Sequence, residues 1–424
     1  MLQINLDEVI DLAQNERMDV GANIARLRKA AGLTQSQLAD MLFVSNKTVS
    51  KWERGAGYPE ITQLTSLARL LGTTVDNLLM GERYGIAIAG NMLTDVVKLI
   101  DKYPSMNMLA NIKSITRAVG GAVPNTAIDL AVIDKSLKVS ALALAGDDES
   151  GIYVTDEMRR HGIDVTRVGV SETAITGFSD VMSVIGSGER TFFHHKGTNA
   201  EFSPKHIDLD TLNARMLHIG YILLLDEFDR ADDEYGTVMA RFLKDVSERG
   251  IKTSFDVVSD SENRFAEKVT PALKYTDNAF MNEIEACGIS GLAPRDENGK
   301  LIVKNVKDTM KMILAGGVRE RVIVHCPEAG FILNSSGEFT ACPSLKLPKG
   351  YVKGTVGAGD AFCAGCLYGI YHGWSDMEIL EFASGAAAAN LSREDSVKGM
   401  KSKDEIFSLM AGLERQKINF TEDI

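Results

Sequence analysis

Between residues 20 and 80, apolar side chains recur at the three-and-four spacing of helices, in short stripes separated by clear punctuation. Ile24 and Leu27, with the small pair Ala30 and Ala31, form the first stripe. Gly32 ends it, since glycine tolerates the left-handed geometry of a helix exit. Thr34 caps a second helix over 35–42, and Gln37 three residues on completes a capping box. Phe43 and Val44 make a tight turn. Ser45 then caps a third helix that shows Val49 and Trp52 to a core and Asn46, Lys47, Ser50 and Lys51 to the outside. After a break from Gly55 to Pro59, two further stripes follow: Ile61, Leu64, Leu67, Ala68 and Leu71, then Val75, Leu78 and Leu79. Residues 1–19 read as a small acidic helical extension ahead of this bundle.

From Tyr84 the texture changes. Short apolar runs at 85–90, 139–146, 216–225, 252–257 and 321–325 predict buried strands. Helical stretches at 122–133, 148–161, 234–249 and 306–316 lie between them. This alternation predicts a doubly wound α/β domain, with ligands gathered at the carboxyl ends of its strands. Residues 173–185 and 189–195 break the rhythm. They alternate like a hairpin around Gly186-Ser187-Gly188 and predict a small β lid over the site. The expected architecture is an all-α helix-turn-helix bundle over 20–80, followed by a three-layer α/β domain with a β lid over 84–415.

Composition fits that division. A chain of 424 residues suits two domains, and 45% hydrophobic with 25% charged residues is ordinary globular composition. No apolar run approaches the roughly 20 residues that cross a bilayer. The N-terminus lacks the basic start and apolar core of a secretory signal, so a cytoplasmic protein without a membrane partner is expected. The five scattered cysteines, Cys287, Cys326, Cys342, Cys363 and Cys366, do not suggest a disulfide framework. Cys363 and Cys366 keep a C-x-x-C spacing with no second ligand pair nearby. They read as small residues packing a helix against a sheet, not as a structural metal site.

Charge separates the two parts. The net charge is −12, which excludes a generic nucleic-acid binder. Over residues 20–83, however, eight basic residues against five acidic ones give +3, leaving −15 for the rest. That asymmetry gives the first segment an anionic partner. Helix, short turn and polar-faced helix is the helix-turn-helix plan. The runs Leu33-Thr34-Gln35-Ser36-Gln37-Leu38-Ala39 and Val49-Ser50-Lys51-Trp52-Glu53-Arg54-Gly55 resemble the Cro/Xre-type DNA-binding domains. The resemblance implies that the helix from Ser45 to Arg54 enters the major groove of an operator. Asn46, Lys47, Ser50 and Lys51 would then face base edges or phosphates, and Gln35 would sit over the backbone. Such domains usually read two half-sites, which implies a homodimer on double-stranded DNA.

The richest chemistry lies in Gly354-Thr355-Val356-Gly357-Ala358-Gly359-Asp360-Ala361-Phe362. Small residues before a helix let bare backbone N–H groups approach an anion, and the helix dipole favours negative charge there. Asp360 follows at once, so an anion cradle and a base stand side by side, as phosphoryl transfer to a hydroxyl requires. The stretch resembles the C-terminal signature of the ribokinase-like (PfkB) sugar kinases, Asp-Thr-x-Gly-Ala-Gly-Asp-x-Phe. Other motifs of that family occur in order: Gly90 with Asp95, Gly120-Gly121 with Asn125, Gly146-x-Asp148-x-x-Gly151, and Asn282-x-x-Glu285. The resemblance implies that Asp360 is the base and that Gly357, Ala358 and Gly359 form the anion hole. It implies that Asp95, Gly120, Gly121 and Asn125 hold a sugar or nucleoside-like substrate. ATP and Mg²⁺ are the implied cofactors, with Asn282 and Glu285 orienting the metal. The chain departs from the pattern in three places. Gly354 replaces an aspartate that commonly helps hold a monovalent cation, which puts potassium activation in doubt. His325-Cys326-Pro327 replaces a Thr-x-Gly that touches nucleotide, and Leu93 replaces a polar residue of ribose-specific members, so ribose is not favoured. These departures leave an alternative: a catalytically weak or inactive kinase fold that senses sugar for a repressor. His194, His195 and Lys196, after the lid strand, read as solvated lid-edge residues.

Overall fold

The computed structural model describes residues 20–418 apart from 81–82, 187–188, 260–261 and 263. The expected extension at 1–19 and the tip of the lid hairpin at Ser187-Gly188 lie outside the described residues. The chain divides into two compact units, with the boundary between Tyr84 and Gly85.

In the first unit the helices are Val20–Ala30, Gln35–Leu42, Asn46–Glu53, Ile61–Leu70 and Val75–Met80. Thr34 and Gln37 form the reciprocal capping box, and the Ser45 side chain accepts from the amide of Thr48. Ile24, Leu38, Val49, Leu67 and Leu78 are wholly buried and make the core, with Trp52 beside them. Ile61, expected in that core, is 86% exposed: it opens its helix, where the apolar stripe has not yet turned inward. Beneath the third helix Arg28 grips Glu53 with two hydrogen bonds, Nε to Oε1 at 2.5 Å and Nη2 to Oε2 at 3.0 Å. Its third nitrogen donates to the Leu33 carbonyl.

The second unit is built on a nine-stranded sheet. From edge to edge its strands are Phe339–Pro343, Ala329–Asn334, Arg321–His325, Asn278–Asn282, Lys252–Val257, Met216–Ile222, Ile86–Gly90, Val139–Gly146 and Val168–Ser171. The last seven run parallel, and the first two add an antiparallel edge. The first of the parallel strands in sequence sits centrally, pairing Ile86 with both Val139 and Met216. Successive residues of one strand serve opposite faces. Met216, Phe280 and Ile323 enter one core, under helices Ala122–Ile133, Ala358–Tyr371 and Asp376–Asn390, while Leu217, Phe255, Met281 and Val324 enter the other, under Val238–Glu248 and Val303–Ala315. Both faces are therefore covered, which explains why these strands read as unbroken apolar runs.

Some boundaries differ from the sequence reading by three residues or more, among them the helix expected from residue 306, which starts at Val303. The strand expected to reach residue 225 ends at Ile222, where Leu223 takes φ 84°. The helix expected from residue 234 starts at Val238, because Ala231–Asp232 and Gly236–Thr237 first form a small antiparallel pair. The lid is larger than expected. The hairpin strands Gly177–Val184 and Arg190–His195 are joined by Leu93–Ile100 and Ile112–Gly120 in a four-stranded sheet. Ile112–Gly120 exposes most of its side chains, and Leu93–Ile100 is half-buried along most of its length, so neither shows a clean alternation.

Candidate active site

Asp360 lies in the first turn of helix Ala358–Tyr371, buried at 6% exposure. Gly357 precedes that helix at φ 77°, and a Cβ there would meet the Ser396 carbonyl at 2.4 Å, so only glycine fits. The first amides of a helix have no acceptor within it and face whatever lies beyond its mouth. Of the expected cradle, Ala358 spends its N–H on a long 3.4 Å contact with the Thr355 carbonyl. Gly357 and Gly359 flank it.

Both oxygens of Asp360 are held. The Asn125 amide donates to Oδ2 at 2.9 Å, and the Tyr221 hydroxyl donates to Oδ1. Asn125 is itself fixed by Ser396, whose hydroxyl donates to its Oδ1 at 3.0 Å. Burial pushes the Asp360 carboxyl up to about 6, partly offset by those two hydrogen bonds. The group stays ionised at neutral pH yet is more basic than a surface aspartate.

Asp95 sits not at the end of the first sheet strand but two residues into the lid strand Leu93–Ile100, beside Ala118 and Ser179 in register. A Cβ on Gly120 would fall 2.6 Å from its Oδ2, so the Gly120-Gly121 turn and Asp95 close on each other. Burial raises Asp95 to about 6, a hydrogen bond from Ser179 opposes this, and the charges of Asp395 and Asp360 add to it. Asp95, Gly120, Asn125 and Asp360 thus come together from strand, turn and two helices. His194 is exposed on the lid, as expected, and its Nδ1 hydrogen-bonds the Ser179 hydroxyl at 3.1 Å. Lys196 pairs with Asp226, and His195 stacks on Phe178.

On the other side of the glycine turn opens a cleft of about 1060 Å³. Asn282, His325, Pro327, Gly359 and Phe362 are on its wall. Asn282 caps helix Glu283–Ser290 by accepting from Ile284 and Glu285, while Glu285 reaches back to the Asn282 amide at 2.8 Å. Glu285 is buried behind the wall and also accepts from Ser259 at 2.9 Å; burial lifts its carboxyl to about 7.

In the first unit Asn46, Lys47 and Lys51 project from helix Asn46–Glu53 into solvent, and Ser50 is half-buried between them. Gln35 turns its amide inward instead, donating to Glu53 Oε2 at 2.7 Å. Sequence reasoning missed Tyr221 and Ser396. Tyr221 carried one signal, its place near the carboxyl end of a central parallel strand. Ser396 carried none, since it follows the last strand and helix of the site in an irregular loop.

Comparisons with known proteins bear on both parts of the chain. A helix-turn-helix family profile matches residues 24–78. Over 65 residues the chain is 42% identical to the HTH-type transcriptional activator BcrR of Enterococcus faecalis, a match spanning 15% of this chain and 32% of that protein. Over 302 residues it is 23% identical to the 5-dehydro-2-deoxygluconokinase of Shouchella clausii, covering 70% of this chain and 88% of the relative. The fold is that of the Arabidopsis thaliana ribokinase solved with ribose and ATP, with a TM-score of 0.64 at 18% identity, over 77% of this chain and 99% of that one. The profile for the pfkB family carbohydrate kinases matches residues 85–403. The chain therefore belongs to the pfkB family of carbohydrate kinases and carries a helix-turn-helix domain ahead of its kinase domain.

Proposed function

We propose that the second domain transfers the γ-phosphoryl group of ATP to a primary hydroxyl of a sugar or sugar-like substrate, and that the first domain binds operator DNA, as a homodimer, in a cytoplasmic transcriptional regulator. The observation that carries the catalytic half is Asp360: a buried carboxylate at a helix mouth, gripped by Asn125 and Tyr221, between the Asp95 row and the large cleft. Asp360 accepts the hydroxyl proton, and its raised basicity suits that task near neutral pH. The amides of Gly357 and Gly359, with that of Ala358 turned from Thr355, bind the oxygens on which negative charge builds. Asp95 and Asn125 orient the sugar, with Gly120 and Gly121 allowing close approach. The lid excludes water that would otherwise take the phosphoryl group.

Asn282 and Glu285 fit Mg²⁺ through bound water: their oxygens already serve the helix cap, and the raised Glu285 carboxyl marks buried negative charge that a cation would neutralise. Bound there, Mg²⁺ supplies charge neutralisation for the phosphates. The family's monovalent cation does not fit as well. A Cβ on Gly354 would lie 2.9 Å from the Glu394 Cα, so the carboxylate that is missing could not be restored without moving that loop. No helix among the described residues is long and apolar enough to cross a membrane.

The test is ATP consumption against a panel of sugars, sugar acids and nucleosides, with 5-dehydro-2-deoxygluconate and ribose included. Sugar-dependent turnover is expected, falling 10²- to 10⁴-fold in Asp360→Ala. A second reading rests on Pro327, which removes a backbone donor on the cleft wall: a sensor with little or no turnover. Sugar binding without ATP consumption would establish that reading instead. For the DNA half, a mobility-shift assay with fragments neighbouring the protein's own gene is expected to show binding. Asn46→Ala should weaken it by about 1–3 kcal/mol at particular sequences, and Lys51→Ala should weaken it uniformly and flatten the salt dependence. Unchanged binding in both would assign DNA to a different face.

A further inference from the structure

Directly beneath Asp360 lies a cluster that phosphoryl transfer does not use. His218 comes from strand Met216–Ile222 and Asp256 from its neighbour Lys252–Val257. Ser254 pairs with His218 in register, so Asp256, two residues on, points to the same face. Helix Ala358–Tyr371 covers that face, and one turn after Asp360 it lowers Cys363 onto the same spot. All three side chains are buried, and their ligand-type atoms lie within 4.8 Å of one another. Cys363 Sγ is 3.6 Å from His218 Nε2. Two ligands of one tetrahedral zinc, bonded at about 2.3 and 2.0 Å, stand roughly 3.5 Å apart.

We propose that His218, Asp256 and Cys363 form a three-ligand site for a soft divalent cation of zinc's class. Its second layer is already built. The His218 Nδ1 hydrogen-bonds the Ser254 hydroxyl at 3.1 Å, and that hydroxyl donates to the Leu217 carbonyl, so Nδ1 carries the proton and Nε2 is left as a free electron pair aimed at Cys363. Phe280 packs edge-on against the ring at 5.6 Å and fixes its plane. Thiolate and imidazole select a softer ion than magnesium, which takes oxygen ligands. Binding forms Zn–S, Zn–N and Zn–O bonds and releases the thiol and carboxyl protons to solvent. One thiolate and one carboxylate then cancel the two charges of the ion, the condition for burying it.

The experiment is a cobalt titration of the full, chelator-treated chain, read by absorption. The expected result is a thiolate-to-cobalt charge-transfer band that saturates at one cobalt per chain, is displaced by zinc and is not displaced by magnesium. It should vanish in Cys363→Ser and in His218→Asn, and persist in Cys366→Ser, a buried thiol one turn further along the same helix. Absence of a saturable band in the wild-type chain overturns the proposal whatever the variants do. So does its retention in a folded Cys363→Ser. Because the reading is spectroscopic, it stands or falls independently of sugar phosphorylation.

Discussion

The two domains bury carboxylates in opposite ways. In the helix-turn-helix unit Glu53 is taken out of water together with a guanidinium: Arg28 and Glu53 are 10% and 7% exposed, and Gln35 supplies one more donor. Burial there raises the Glu53 carboxyl, but the hydrogen bonds from Arg28 and Gln35 outweigh it, and the net shift is downward. In the kinase domain Asp360 is buried more deeply, with a phenol and an amide, neither of them charged, and its shift is upward. A compensated charge holds a fold in register, whereas an under-compensated one stays reactive. Burial thus serves architecture in one place and chemistry in the other, and the charge of the partner sets the direction of the shift.

The largest expected effect breaks the compensated side. Arg28→Ala leaves Glu53 buried without its cation and the Leu33 carbonyl without its donor. About 3–5 kcal/mol of the stability of the first domain should be lost. Calorimetry of the full chain should show one transition collapse while the kinase transition keeps its temperature. Since the folded-state pKa of Glu53 lies below its unfolded value, the stability it contributes is present at neutral pH and fades as pH falls through the folded pKa. The gap between wild type and variant should therefore narrow in acid. A constant gap would mean that Arg28 acts through packing alone.

A middle-sized effect comes from Asp129, which lies one helical turn beyond Asn125 and is fully buried. Neither of its oxygens finds a partner among the described residues. Burial first, then the charges of Asp360 and Asp395, push its carboxyl well up. Asp129→Leu has similar volume and no polar atom to satisfy, so it should stabilise the kinase domain by about 1–3 kcal/mol. A raised folded-state pKa means that stability is lost as pH rises, so the gain should be greater at pH 8 than at pH 5 in urea unfolding. A loss of stability would show that Asp129 has a polar role which the surrounding helices support.

Much of this was legible in the chain. The helix-turn-helix unit declared itself through Thr34, Gln37, Ser45 and Trp52, because caps and a core stripe are local signals. The sheet strands 139–146, 252–257 and 321–325 matched their apolar runs, since both faces of a parallel sheet are covered. The first two lid strands were invisible because Ile112–Gly120 exposes most of its side chains and Leu93–Ile100 is half-buried on both faces, so neither alternates. Asp95 was recognisable as a motif residue, but its place on the lid depends on pairing across the sheet with Ser179, which no local pattern encodes. Tyr221 and the His218–Asp256–Cys363 cluster were hidden for the same reason: their neighbours are more than 100 residues away in sequence or lie on adjacent strands.

The smallest effect sharpens the comparison most, because it changes the compensation of Asp360 by a single hydrogen bond. Tyr221→Phe keeps the ring and removes the donor on Oδ1, leaving Asn125 alone on the carboxylate. That hydrogen bond lowers the Asp360 carboxyl against the push of burial, so its loss should drive the group upward from about 6. The acidic limb of kcat/KM should then move to higher pH by about one unit, equivalent to about 1.4 kcal/mol. At pH 8, where the base is ionised in either protein, the two rates should nearly converge. Asn125→Ala should move the limb in the same direction but also raise KM, since Asn125 is proposed to orient the sugar. A limb that stays in place in Tyr221→Phe would identify the titrating base as some group other than Asp360, with Asp95, also held near 6 by burial, the next to test.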